Sequence, residues 1–137
     1  MIAQFIGDLI ASWVGGRLGM TFVRRKRAKA AQRGVFVCGL RVISGNQPGL
    51  SGEWLVGEWA IRSGRLSMEK VVVPIVETVA GSRRLAKLNE IVGVDDTIIV
   101  TVRTETAVLE WSMLSRFDGL SLRALGVPES SDAPSDA

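Results

Sequence analysis

The feature that most constrains this chain is the apolar run Ile2–Val23, IAQFIGDLIASWVGGRLGMTFV, followed at once by RRKRAKAAQR. As an α-helix its 22 residues extend about 33 Å. A bilayer hydrocarbon core is about 30 Å thick. The run therefore predicts a transmembrane helix over residues 1–23 and a basic juxtamembrane segment over 24–33. Positive charge next to a span favours the cytoplasmic side. No Lys or Arg precedes Arg17, so the expected topology is N-terminus outside and C-terminal domain cytoplasmic, in the cell membrane. A secretory signal peptide has its charge before the apolar run and a small-residue cleavage site after it. Here that order is reversed, which argues for retention.

Asp8 and Arg17 interrupt the run. A charge at the membrane centre costs about 2.5–3.5 kcal/mol, but both residues lie off-centre and Arg17 reaches toward the basic end. On one helix they face opposite ways, so they pair only between helices. Gly7, Ala11, Gly15 and Gly19 recur every fourth residue and form one narrow stripe. Small residues at that spacing let helices approach closely in lipid. The stripe predicts helix self-association and a homo-oligomer. The competing arrangement is an amphipathic helix lying on the membrane surface, with Gln4, Asp8 and Ser12 on its polar face. Arg24, Arg25, Lys26, Arg27, Lys29 and Arg33 are the candidate lipid contacts under either arrangement.

The charge balance separates the two parts of the chain. Residues 1–33 carry a net +6 and residues 34–137 a net −3, giving the overall +3. Nucleic-acid binders spread basic charge over a folded face, so no nucleic-acid partner is expected. The single cysteine, Cys38, has no partner for an internal disulfide. There is no histidine, which leaves no zinc-type ligand cluster and no imidazole base. No catalytic residue, metal site or cofactor is assigned, and the domain is expected to be non-enzymatic. Asp95-Asp96 and Arg83-Arg84 read as turn residues. Gly15-Gly16 lacks the Lys-Ser/Thr that completes a phosphate loop.

From Gly34 the periodicity becomes that of strands. Phe36, Cys38, Leu40 and Val42 alternate with Arg41. Residues 44–52 form a Gly/Pro/Ser loop, and 53–61 a second strand. Ser63-Gly64 turns into a strand over 65–73, which forms a hairpin with the second. Pro74 separates a short strand over 75–79. Residues 85–94 fit a helical turn in their first half and a strand in their second. TIIVTVR and TAVLEWSM make a hairpin around Thr104-Glu105. A helix over 114–125 puts Leu114, Phe117, Ser121, Ala124 and Leu125 on one face and stops at Gly126 and Pro128. Residues 127–137 are a polar, acidic and disordered tail. The fold class is mainly β (α+β), with about seven antiparallel strands and a C-terminal helix over residues 34–126. Trp54 follows a loop and shares its face with Glu58, so it is a candidate exposed anchor for a protein partner.

This element order, with Glu110-Trp111-Ser112-Met113 running straight into the last helix, resembles the pleckstrin-homology superfold as a small barrel or sandwich. That resemblance implies a basic phosphoinositide site near the first strand pair. Arg41, Arg62 and Arg65 are placed for one, yet the loop Ser44–Gly52 carries no basic residue. The layout also resembles an actinobacterial family of small single-span membrane proteins of unknown function. The matching residues are Gly52-Glu-Trp54-Leu-Val-Gly57 and 107–125. The family implies no catalytic residue. The expected role is a membrane-anchored interaction or scaffold domain, with membrane lipids and an unknown protein as partners. The alternative is a peripheral anionic-lipid-binding domain.

Overall fold

The structure is a computed structural model that describes residues 26, 28–87, 89–91 and 96–130. The segment Ile2–Val23, with Gly7, Ala11, Gly15 and Gly19, lies outside the described residues, as do Arg24, Arg25, Arg27 and Asp95. Among the described residues no helix is long and apolar enough to cross a membrane.

The protein is mainly antiparallel β-sheet with a C-terminal helix. The strands are β1 (Val35–Gly45), β2 (Leu55–Arg62), β3 (Arg65–Met68), β4 (Val71–Pro74), β5 (Glu77–Thr78), β6 (Arg84–Leu85), β7 (Thr97–Arg103) and β8 (Ala107–Leu114). A 3-10 turn, Ser115–Phe117, leads into the helix Asp118–Leu125. The sheet order is β4-β3-β2-β1-β8-β7-β5, with β6 also on β7.

The two ends of this path are consecutive in sequence. Pro74 pairs with Arg65 of β3, and the Ile75 N–H donates to the Gly64 carbonyl at 2.7 Å. The next residue, Val76, donates to the Arg103 carbonyl of β7 at 2.8 Å. Proline removes a ladder donor where the chain changes partners, which suits a strand at a corner. The sheet thus wraps round one apolar core.

Strand alternation fills that core. Phe36, Cys38 and Leu40 of β1 point inward with Trp59 and Ile61 of β2. Leu109, Trp111 and Met113 of β8 meet them from the other side. Trp59 and Trp111 are fully buried. Ile98 to Val100 of β7 and nearly all of β8 are buried on both faces, which is why these strands read as continuous apolar runs.

The C-terminal helix closes the end of the sheet where β1 begins. Ser63 and Gly64 of the β2–β3 hairpin donate to the Ala124 and Leu125 carbonyls at 3.2 and 2.6 Å. Leu125 and Ser121 are fully buried, and Phe117 meets Phe36 edge-on at 6.3 Å. Gly126, at φ +65°, ends the helix by donating to the Leu122 carbonyl.

Several sequence expectations are corrected. The strand over 65–73 is two strands, because Glu69 turns the chain at φ +55°. Among the described residues there are eight strands where about seven were expected, because 65–73 divides and Arg84–Leu85 pairs with β7. Residues 85–94 hold no helix among those described. The helix starts four residues later than 114, because β8 runs to Leu114. The tail is tied down at its start: Thr78 donates to the Pro128 carbonyl at 3.0 Å and accepts from Ser130 at 2.7 Å. Residues 131–137 lie outside the described residues.

Truncating Leu125 to Ala leaves a cavity under the helix and is expected to cost about 2–5 kcal/mol. A urea titration reads this as a lower midpoint with an unchanged slope. An unchanged midpoint would show that the helix does not close the core.

Candidate functional site

The principal side-chain constellation lies on the outer face of β1 and β8. Arg41 of β1 sits opposite Glu110 of β8 in the register. Its Nε and Nη2 donate to Glu110 Oε1 at 2.8 and 2.6 Å. Arg84 of β6 donates through Nη2 to Glu110 Oε2 at 3.0 Å. Arg84 also grips Glu90 through Nη1 to Oε1 at 2.9 Å and Nη2 to Oε2 at 2.7 Å. Arg41 reaches Glu90 Oε2 at 3.2 Å, and the Lys87 backbone N–H donates to Glu90 Oε1 at 2.8 Å. Four charges from β1, β6, β8 and the segment after β6 are thereby locked together.

Both carboxylates are nearly buried, with side chains 11% exposed. Every carboxylate oxygen accepts at least one charge-assisted bond, the strong class of hydrogen bond. The Arg84 guanidinium, the Lys87 amide and Arg41 hold the Glu90 carboxyl down at about 2. The same contacts, led by the bond to Glu90, raise the Arg84 pKa further. A general base works best with a pKa near the operating pH and a free lone pair. Glu90 offers neither. The cluster acts as a clamp that pins the β6 segment on the sheet.

Trp54 extends this clamp. The Arg41 guanidinium carbon lies 4.6 Å from its ring centroid, a cation–π contact. The ring lies across Gly39, where an added Cβ would meet Ser112 Oγ at 2.8 Å and Trp54 itself at 3.4 Å. Glycine is needed there for the close approach. Trp54 is therefore half-buried rather than freely exposed, and its buried indole N–H has no partner among the described residues. The expectation of an exposed anchor was based on Trp54 sharing a face with Glu58; what covers that face comes from β1.

The basic segment is placed in part. Residues 28–32 are helical, and their Ala30 and Ala31 pack on the core, while Lys29 and Arg33 are exposed. Lys26 is exposed and helical. The end of the basic run is thus joined to the folded domain, and a turn at Gly34 follows it into β1. Of the three arginines placed for a phosphoinositide site, Arg41 is committed to Glu110 and Glu90, whereas Arg62 and Arg65 are exposed and face each other across β2–β3. Asp96 is exposed, and its carbonyl accepts the Ser115 N–H at 3.0 Å. Cys38 is buried, and burial pushes its thiol up to about 12. Among the described residues no group of acidic, Cys or His side chains is arranged to hold a metal.

The clamp escaped the sequence reading because its members are far apart. The only signal was Glu110 alone in an apolar strand, on the face that the β1–β8 register gives to Arg41. No family model, no curated protein and no solved structure matches the chain.

The Glu90 shift has a pH consequence. Its carboxyl has an ordinary value of 4.5 and lies near 2 in the fold, so the fold favours the charged form. That stabilisation is complete above the unfolded value and is lost as pH falls from 4.5 toward 2. Urea midpoints measured across this window should fall more steeply for the native chain than for Glu90→Gln. Parallel curves would mean that the clamp does not hold Glu90 ionised.

Proposed function

We propose that the chain is a single-pass membrane protein that presents a non-enzymatic interaction or scaffold domain at the cytoplasmic face. In this reading residues 1–23 span the bilayer with the N-terminus outside. The stripe Gly7, Ala11, Gly15 and Gly19 joins helices, and residues 24–33 meet anionic lipid. The domain behind is a pleckstrin-homology-like barrel, and its layout is that of the actinobacterial single-span family. The sheet order, the joined β4 and β5 and the helix over one end support the barrel reading.

One observation carries the interaction role. β4 pairs with β3 on one side and has no strand on its other edge among the described residues. Val72 and Val76 are each 47% exposed along this path, and Pro74 between them is also exposed. An open edge bearing β-branched side chains is suited to adding a strand from a partner. The interior, by contrast, is filled by Trp59, Trp111 and their neighbours, which argues for recognition on the outside of the domain.

The second reading is a peripheral anionic-lipid-binding domain with an interfacial helix, and exposed Lys29 and Arg33 favour it. Salt separates the two. A spanning chain stays with membranes in about 0.5 M salt, where surface charge is screened within a few ångströms, and leaves only with detergent. Release by salt alone would overturn the spanning proposal.

The edge has its own test. Val72→Lys is exposed and is expected to change stability by less than about 0.5 kcal/mol. In cells, site-specific photo-crosslinks placed at Val76 should disappear in that variant. Unchanged crosslinks would remove the edge from the interaction surface.

A further inference from the structure

Outside the clamp, the exposed charges of the turns and strand ends differ between the two ends of the sheet. At the end where β1 begins, the chain enters through the helical residues that carry Lys29, then Arg33. Gly34 accepts the Ile61 N–H at 2.8 Å, so this turn lies beside the end of β2. Arg62 and Arg65 flank the Ser63-Gly64 hairpin turn and sit directly opposite each other in the register. The hairpin is bonded to the C-terminal helix at Ala124 and Leu125, next to exposed Arg123. Exposed Arg116 lies over the Phe117 ring at the same end.

The acids at this end are few. Asp118 is held by Arg83 at 2.7 Å and Glu77, next to the Thr78–Glu129 bridge, by Arg103 at 2.6 Å, and Asp96 and Glu129 remain. The far end carries the opposite sign. Glu53 in the β1–β2 loop, Glu69 in the β3–β4 turn and Glu105 in the β7–β8 turn are all exposed, with Lys70 beside Glu69.

Two details show that the basic end is not a by-product of folding. Like charges directly opposite on neighbouring strands are destabilising. Yet Arg62 and Arg65 face each other, and neither makes an ion pair with a described residue. The same end also receives the chain through the helical residues that carry Lys29, followed by exposed Arg33.

We infer that this end of the domain, with Arg33, Arg62, Arg65 and Arg123 at its surface, docks on an anionic lipid surface. The acidic far end then points away from the membrane. The inference rests on the membrane reading above. It adds that the domain is held in one orientation rather than swinging on its tether. Anionic leaflets attract basic groups that lie within about a Debye length, so the contact is salt-sensitive.

The test uses the full chain in vesicles, with a single environment-sensitive fluorophore on Ser63→Cys or on Asn46→Cys at the far end. Both sites are exposed, whereas Cys38 is buried and does not compete for the label. The vesicles are phosphatidylcholine, with or without about a third phosphatidylglycerol, and carry a headgroup quencher. The Ser63 label should be quenched in anionic vesicles and much less in neutral ones, and about 0.5 M salt should reverse the difference. The Asn46 label should be unquenched in both.

Arg62→Gln with Arg65→Gln should weaken the anionic contact about fivefold per charge removed. The same pair should leave the thermal midpoint in detergent unchanged or raised, because it removes a repulsion. Equal quenching at Ser63 and Asn46, equal quenching in the two lipids, or no response to the double substitution would overturn the inference. Tighter, Arg62-dependent binding of a DNA duplex than of anionic vesicles would overturn the lipid assignment. A chain that does not float with either vesicle fails the membrane reading itself. A chain that floats with an unquenched Ser63 fails only the docked orientation.

Discussion

The structure depends on β1 being paired on both sides. It bonds to β2 through Val35–Leu40 and to β8 through Cys38–Gly45, joining the two halves of the sheet. Its inward residues Phe36, Cys38 and Leu40 supply the centre of the core. Its outward residues do equally specific work. Gly39 admits the Trp54 ring, and Arg41 reaches both Glu110 and Glu90. A one-residue slip would exchange these faces, placing Arg41 in the core and Cys38 outside. The inward and outward demands on β1 therefore select the same register.

The clamp on the outer face trades generality for placement. Partly buried ion pairs are weak evidence for net stability, because desolvation offsets attraction. Their best-attested use is to fix one arrangement among several. Here Arg84 and Glu90 belong to a two-residue strand and the segment after it, which have little ladder bonding of their own. The Glu110 carboxylate on β8, shared by Arg41 and Arg84, holds that segment in place. The charges on the ends of the sheet are of a different kind: among the described residues Arg62 and Arg65 are exposed and make no ion pair, and cations predominate at that end. That contrast is why the membrane reading draws on the end of the domain and not on its best-formed charge cluster.

Much of the domain is visible in the amino-acid order. TIIVTVR marks β7 at its observed bounds, and the alternation from Phe36 to Leu40 identifies the inward face of β1. Ser121 and Leu125 lie on the buried face of the helix, and Gly126 ends it as its backbone requires. What escaped the reading depends on partners distant in sequence. The clamp joins residues 69, 49 and 26 positions apart, which no local period reveals. The break between β3 and β4 hides in an apolar stretch because Glu69-Lys70 is not a strong turn signature. Trp54 reads as exposed by alternation alone, since the glycine that receives it lies on another strand.

The central claim is that the chain crosses the membrane once, with the folded domain inside. It is tested most directly by labelling intact cells with a membrane-impermeant maleimide. The full chain carries a single added cysteine at Ala3 or at Asn46, and buried Cys38 adds no background. The account predicts that Ala3→Cys is labelled in intact cells and that Asn46→Cys is labelled only after lysis. Labelling of Asn46→Cys in intact cells, or protection of Ala3→Cys, would contradict it.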